Sequence, residues 1–120
     1  MTAARANVDG FLPLRPVEFL VLAVLHDEEL HGYGIVQEIA RRTAGRVTVK
    51  PGNLYRVLDR LMERGLLRES TSRSAPDLAD ERRRYYAITE LGTEVVHAEA
   101  EIFGAIAADV RGAPATTGNR

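Results

Sequence analysis

Apolar residues recur at Val17, Leu20, Val21, Val24 and Leu25, the i, i+3, i+4, i+7, i+8 spacing of an amphipathic helix. Pro16 suits the first turn of that helix, and the acidic run Asp27-Glu28-Glu29 ends it. Gly32 and Gly34 mark the start of a second helix carrying Ile35, Val36, Ile39 and Ala40, which finishes near Gly45. Residues 46–50 read as a short extended link. Pro51 opens a third helix on Leu54, Val57, Leu58, Leu61 and Met62, and Gly65 supplies its C-terminal stop.

The pattern then changes. Residues 66–69 and 83–88 are short and strand-like, separated by a polar, proline-containing stretch at 70–81, the signature of a hairpin with a long tip. Thr89 is a plausible N-cap, with Glu90 and Glu94 in the favourable first turns of a last helix that runs to about Arg111. Three helices followed by a hairpin is the order of a winged helix-turn-helix. The expected fold is therefore mainly α with a small β-hairpin. A flexible arm at 1–14 precedes a winged helix-turn-helix at 15–88, a C-terminal dimerisation helix at 89–111 and a disordered tail at 112–120.

Composition narrows the chemistry. The 120 residues are 45% hydrophobic and 28% charged, an ordinary globular balance. The absence of cysteine excludes disulfides, thiolate metal sites and cysteine nucleophiles. The longest apolar stretch, Phe19 to Leu25, is far shorter than the roughly 20 residues of a membrane span. The first residues lack the apolar run of a secretory signal, so a cytoplasmic location is expected.

The net charge of −1 hides a partition. Between Arg41 and Arg84 there are twelve basic and six acidic residues, whereas the rest of the chain has four basic and eleven acidic. A basic centre between acidic flanks fits a positive binding face. On the third helix, Asn53, Arg56, Arg60 and Arg64 fall on one stripe opposite the apolar face. Asn pairs with adenine and Arg with guanine or phosphate, which is the chemistry a major-groove helix needs. Asp59 and Glu63 make that face mixed, so a plain solvated face is the competing reading. Arg82, Arg83 and Arg84 form a second basic group where the hairpin returns, placed to straddle a phosphate backbone or enter a minor groove. An edge-strand charge run that merely keeps the protein soluble has the same appearance.

Five fragments carry a family resemblance: His31-Gly32-Tyr33-Gly34-Ile35, Pro51-Gly52-Asn53-Leu54-Tyr55, Leu58-Asp59-Arg60-Leu61, Glu63-Arg64-Gly65-Leu66-Leu67, and Arg84-Tyr85-Tyr86-Ala87-Ile88-Thr89-Glu90-Leu91-Gly92. In this order and spacing, over roughly residues 15 to 110, the chain resembles the PadR family of bacterial winged-helix regulators, which are usually repressors. The resemblance implies a homodimer built through the C-terminal helix and a pseudo-palindromic operator in double-stranded DNA. It also implies that the third helix enters the major groove, with Tyr55, His31 and Tyr33 near backbone phosphates. Lys50, Asn53 and Arg56 depart from residues common in the family, adding a phosphate-seeking charge and more hydrogen-bonding capacity to the groove face. There is no tryptophan to build the flat drug pocket found in some relatives.

The seam expected for the dimer comprises Leu91, Val95, Ala98, Ile102 and Ala105, which advance by alternating steps of four and three, widened by Phe103, Ile106 and Val110. The expected partners are thus duplex DNA, a second copy of the chain and a small-molecule effector of unassigned chemistry. No catalytic arrangement is visible, and no cofactor is expected. His26 and His31 flank Asp27-Glu28-Glu29, ligand types that suit zinc or nickel, but a solvated turn is the simpler reading. An alternative function from another class is a winged-helix interaction module whose arginines face an acidic protein.

Overall fold

The computed structural model describes residues 8–70 and 84–112. Among them, α1 (Pro16–Asp27), β1 (Leu30–His31), α2 (Gly32–Arg42), α3 (Pro51–Glu63), β2 (Leu67–Ser70), β3 (Tyr85–Ile88) and α4 (Glu90–Val110) follow in order. This is a mainly helical winged helix with a small antiparallel sheet. Residues 71–81 of the expected tip, Arg82 and Arg83, residues 1–7 of the arm and residues 113–120 of the tail lie outside the described residues.

The helix boundaries follow from local chemistry. Pro16 and Pro51 sit in the first turns of α1 and α3, where the missing N–H costs nothing. His31 caps α2 through its own ring, Nδ1 accepting from Gly34 N at 2.9 Å. Gly65 takes φ +80° beyond α3, a conformation that suits a residue without Cβ. Thr89 caps α4 as expected: its Oγ1 accepts from Gly92 N at 2.9 Å and donates to Gly65 O at 2.7 Å.

The sheet has one strand more than the hairpin expected from sequence. Its order is β1-β3-β2, with Leu30 opposite Tyr86, and Leu67 opposite Ile88. β1 is only two residues long, too short for an alternating pattern to register. It ties the start of α2 directly to the wing. β2 runs one residue later than the expected 66–69, and β3 starts two residues later than expected but ends at Ile88 as expected.

α1 is the hub. Val21 and Leu22 are completely buried, and α1 packs on α2, α3, α4 and β3. Leu54, Leu58 and Leu61 of α3 and Ile35 and Ile39 of α2 complete the centre. The first half of α4 joins the same core through Val95 and Val96, with Leu91 and Ala98 packed against it. Residues 8–14 are not loose: Val8 and Leu14 are buried, and Leu14 N donates to both carboxylate oxygens of Glu99 at 3.2 Å. The expected flexible arm thus carries three apolar anchors: Val8 and Leu14 join the core and Phe11 packs against it.

Candidate nucleic-acid interface

α3 presents two different surfaces along its polar stripe. Near its N-terminus, Lys50, Asn53, Tyr55 and Arg56 are all exposed. Lys50 is the N-cap residue, and its side chain makes no cap bond and is exposed. Near the C-terminus the same stripe turns inward. Arg60 Nη1 donates to Glu18 Oε2 at 3.3 Å, and Arg64 Nη1 lies 3.8 Å from Glu18 Oε1. The Arg64 guanidinium also sits over the Phe11 ring, 4.8 Å from its centroid, a cation–π contact. Both arginines remain partly exposed, but they are tied to α1 while Asn53 and Arg56 stand clear.

Sequence reasoning missed Glu18. It occupies the third position of α1 and accepts from Arg15 N at 3.0 Å, one of the N–H groups a helix start leaves open. A Glu three residues after a helix start was the available signal. Nothing in periodicity alone tied it to arginines more than 40 residues away.

β1 brings a second group of predicted residues to the α3 face. An open cleft of about 470 Å³ is lined by His31, Gly32, Tyr33, Tyr55, Asp59, Arg84 and Tyr86. Tyr33 is 67% exposed and Tyr55 47%, so both phenols reach solvent at the rim. The Tyr55 hydroxyl packs so tightly on Gly32 that a Cβ there would lie 2.4 Å from it. Glycine at 32 therefore allows the α2 start and Tyr55 to meet. His31 packs edge-on against Tyr85, centroids 5.4 Å apart. Tyr86 is buried beneath the cleft, and that burial, reinforced by Tyr55 and Glu69, raises its phenol above the ordinary range; it stays a neutral donor. Arg84 is exposed at the wing, 3.3 Å from Glu69. Asp59 adds one acidic group, which sets a limit on how anionic a ligand the floor of the cleft tolerates.

The expected dimer residues divide in the same manner. Val95 is buried in its own chain's core, with Leu91 and Ala98 beside it. Ile102, Phe103, Ile106 and Val110 are 45%, 46%, 50% and 82% exposed, with Ala105 exposed among them. Among the described residues, the second half of α4 thus carries a run of exposed apolar side chains. Among the described residues no helix is long and apolar enough to cross a membrane.

Comparison with known proteins agrees with this architecture. The family described as Transcriptional regulator PadR-like matches residues 21–98. An uncharacterised protein, protein X of Lysinibacillus sphaericus, is 31% identical over 91 residues, 72% of this chain and 80% of that one. A PadR-like transcriptional regulator from Bacillus cereus superposes with a TM-score of 0.65 at 23% identity, covering 80% of this chain and 88% of the other. Bacillus subtilis PadR, solved in complex with operator DNA, superposes with a TM-score of 0.58 at 23% identity. That match covers 72% of this chain but only 47% of the Bacillus subtilis protein.

Proposed function

The chain belongs to the PadR-like family of transcriptional regulators, and we propose that it is a repressor that binds a pseudo-palindromic operator in double-stranded DNA as a homodimer, with no chemistry of its own. The observation that carries this reading is the exposed N-terminal half of α3, where Asn53 and Arg56 stand clear of the body. In the proposed complex these two side chains read base edges in the major groove. Lys50, His31, Tyr33, Tyr55 and Arg84 hold the flanking phosphates, and Arg82 and Arg83, outside the described residues, are assigned to the same backbone on charge alone. Arg60 and Arg64 contribute through position: their bonds to Glu18 set the angle at which α3 leaves the body, and their exposed edges face the same backbone.

The dimer forms through the exposed half of α4. Ile102, Phe103, Ala105, Ile106 and Val110 pack against the same residues of a second copy, while Leu91, Val95 and Ala98 anchor the helix to its own DNA-reading unit. Two-fold pairing then places the two α3 helices about 34 Å apart, on successive major-groove faces. A duplex DNA partner accords with a cytoplasmic location, and a small-molecule effector acting at the dimer is consistent with the family.

Gel-shift titration of the chain on its own promoter at a series of salt concentrations tests the reading. Specific retardation with a log–log slope of about −0.9 per phosphate contact is expected. Failure to retard duplex DNA, with retention of an acidic protein partner instead, would favour an interaction module.

A further inference from the structure

α1 and α4 meet at their solvent margin through two histidines. His26 in the last turn of α1 and His97 of α4 approach Nε2 to Nε2 at 2.9 Å. Their ring centroids are 4.9 Å apart and the planes are tilted by 54°, so the rings converge at an angle. Behind His26, Nδ1 lies 3.2 Å from Asp27 Oδ1, and Arg42 holds the other Asp27 oxygen at 2.8 Å. With Asp27 accepting the Nδ1 proton, the Nε2 lone pair of His26 is left for an outside partner. A carboxylate behind an imidazole is the arrangement that fixes the tautomer of metal-ligating histidines and strengthens them as donors.

The geometry points to a divalent transition-metal site in which one ion takes the place of the proton shared by His26 and His97. Two nitrogens 2.9 Å apart subtend roughly 90° at an ion about 2.1 Å from each. That is the angle between neighbouring ligands of a tetragonal or octahedral centre, narrower than a tetrahedral centre provides. Imidazole donors at this angle suit Cu²⁺ and Ni²⁺. Each lone pair then lies roughly 45° off the line joining the two nitrogens, which the exposed rings reach by rotating. Among the described residues no group of three or more ligand-type side chains gathers to hold a metal, so water completes the coordination shell and exchange is easy. The ion cross-links the end of α1, hub of the DNA-reading unit, to the helix whose far half is exposed. It therefore stiffens the joint between these two parts of the chain.

The test is isothermal titration of the untagged, full-length protein with NiCl₂, and separately with CuCl₂, alongside thermal melting. One ion per chain with micromolar affinity and a raised melting temperature are expected. His26→Ala and His97→Ala remove exposed rings, so both variants fold, and each loses at least about tenfold in affinity. Asp27→Asn keeps both imidazoles and weakens binding by about 10–100-fold. A wild type that takes up neither ion saturably, or a His97→Ala variant that binds as tightly as wild type, overturns the site. Uptake of Zn²⁺ with Ni²⁺ and Cu²⁺ both rejected overturns the coordination angle on which it rests.

Discussion

Glu18 of α1 accepts a hydrogen bond from Arg60 of α3 at 3.3 Å while its own side chain is almost fully buried. The same carboxylate takes the Arg15 amide and lies near Arg64, so one acid joins the start of α1 to the last turn and C-cap of α3. One residue earlier, the Leu14 amide is held by Glu99 of α4. Successive amides at 14 and 15 therefore link α4 and α3 through one short segment.

Removing this acid loosens α3 rather than the core. Glu18→Ala leaves Arg15 N and two guanidinium groups without their acceptor, but both arginines still reach water. The cost is expected to be about 1–3 kcal/mol, below that of breaking a fully buried pair. Urea unfolding measures it, and an unchanged midpoint would show that the bridge contributes nothing.

The two halves of the α3 stripe should differ in kind. Arg56→Ala and Asn53→Ala are expected to leave stability unchanged and to lose about 1–3 kcal/mol of discrimination at particular base pairs. Arg84→Ala should weaken all sequences evenly. Competition binding against a randomised operator library separates the outcomes, and uniform losses from all three substitutions would contradict the groove assignment.

Replacing Ile102 and Ile106 together with Glu places charge in the exposed half of α4 without touching the intrachain core. Monomers that bind a half-site weakly, and the full operator no better, are expected. Sedimentation with gel-shift on both sites gives the answer; a variant that remains dimeric refutes the interface.

Gly92 marks where α4 touches the wing. A Cβ there would lie 2.2 Å from the backbone oxygen of Leu66 and 2.8 Å from Ile88, and the backbone cannot swing aside as a side-chain tip does. Gly92→Ala is expected to destabilise by about 1–3 kcal/mol. Gly32→Ala meets only the mobile end of Tyr55, so it should spare stability and reduce DNA affinity by displacing that ring. Thermal melts and gel-shifts on both variants check the contrast.

Arg41 and then Arg42 hold the Glu38 carboxyl at about 2, from an ordinary 4.5. A depressed carboxylate contributes stability that is complete above 4.5 and is lost as pH falls toward about 2. The difference between wild type and Glu38→Gln should therefore shrink across that window. Side-chain carboxyl NMR titration at low salt reads the same event directly, and a midpoint near 4.5 would remove the pairing.

The local features of this protein were legible in its sequence. Helical spacing located α1, α3 and α4, prolines at 16 and 51 marked two starts, and Thr89 and Gly65 marked one cap and one stop, because each depends on residues only a few positions apart. The basic centre, the α3 stripe and the apolar surplus on α4 were visible for the same reason. Tertiary packing decided the rest. It paired Glu18 with Arg60 and Arg64, drew Val8 and Leu14 into the core, added β1 beside β3, and buried Val95 of α4 while leaving Ile102, Phe103, Ile106 and Val110 exposed among the described residues. Periodicity says that a face is apolar or charged; which face meets which depends on contacts between residues far apart in the chain, and no local pattern encodes them.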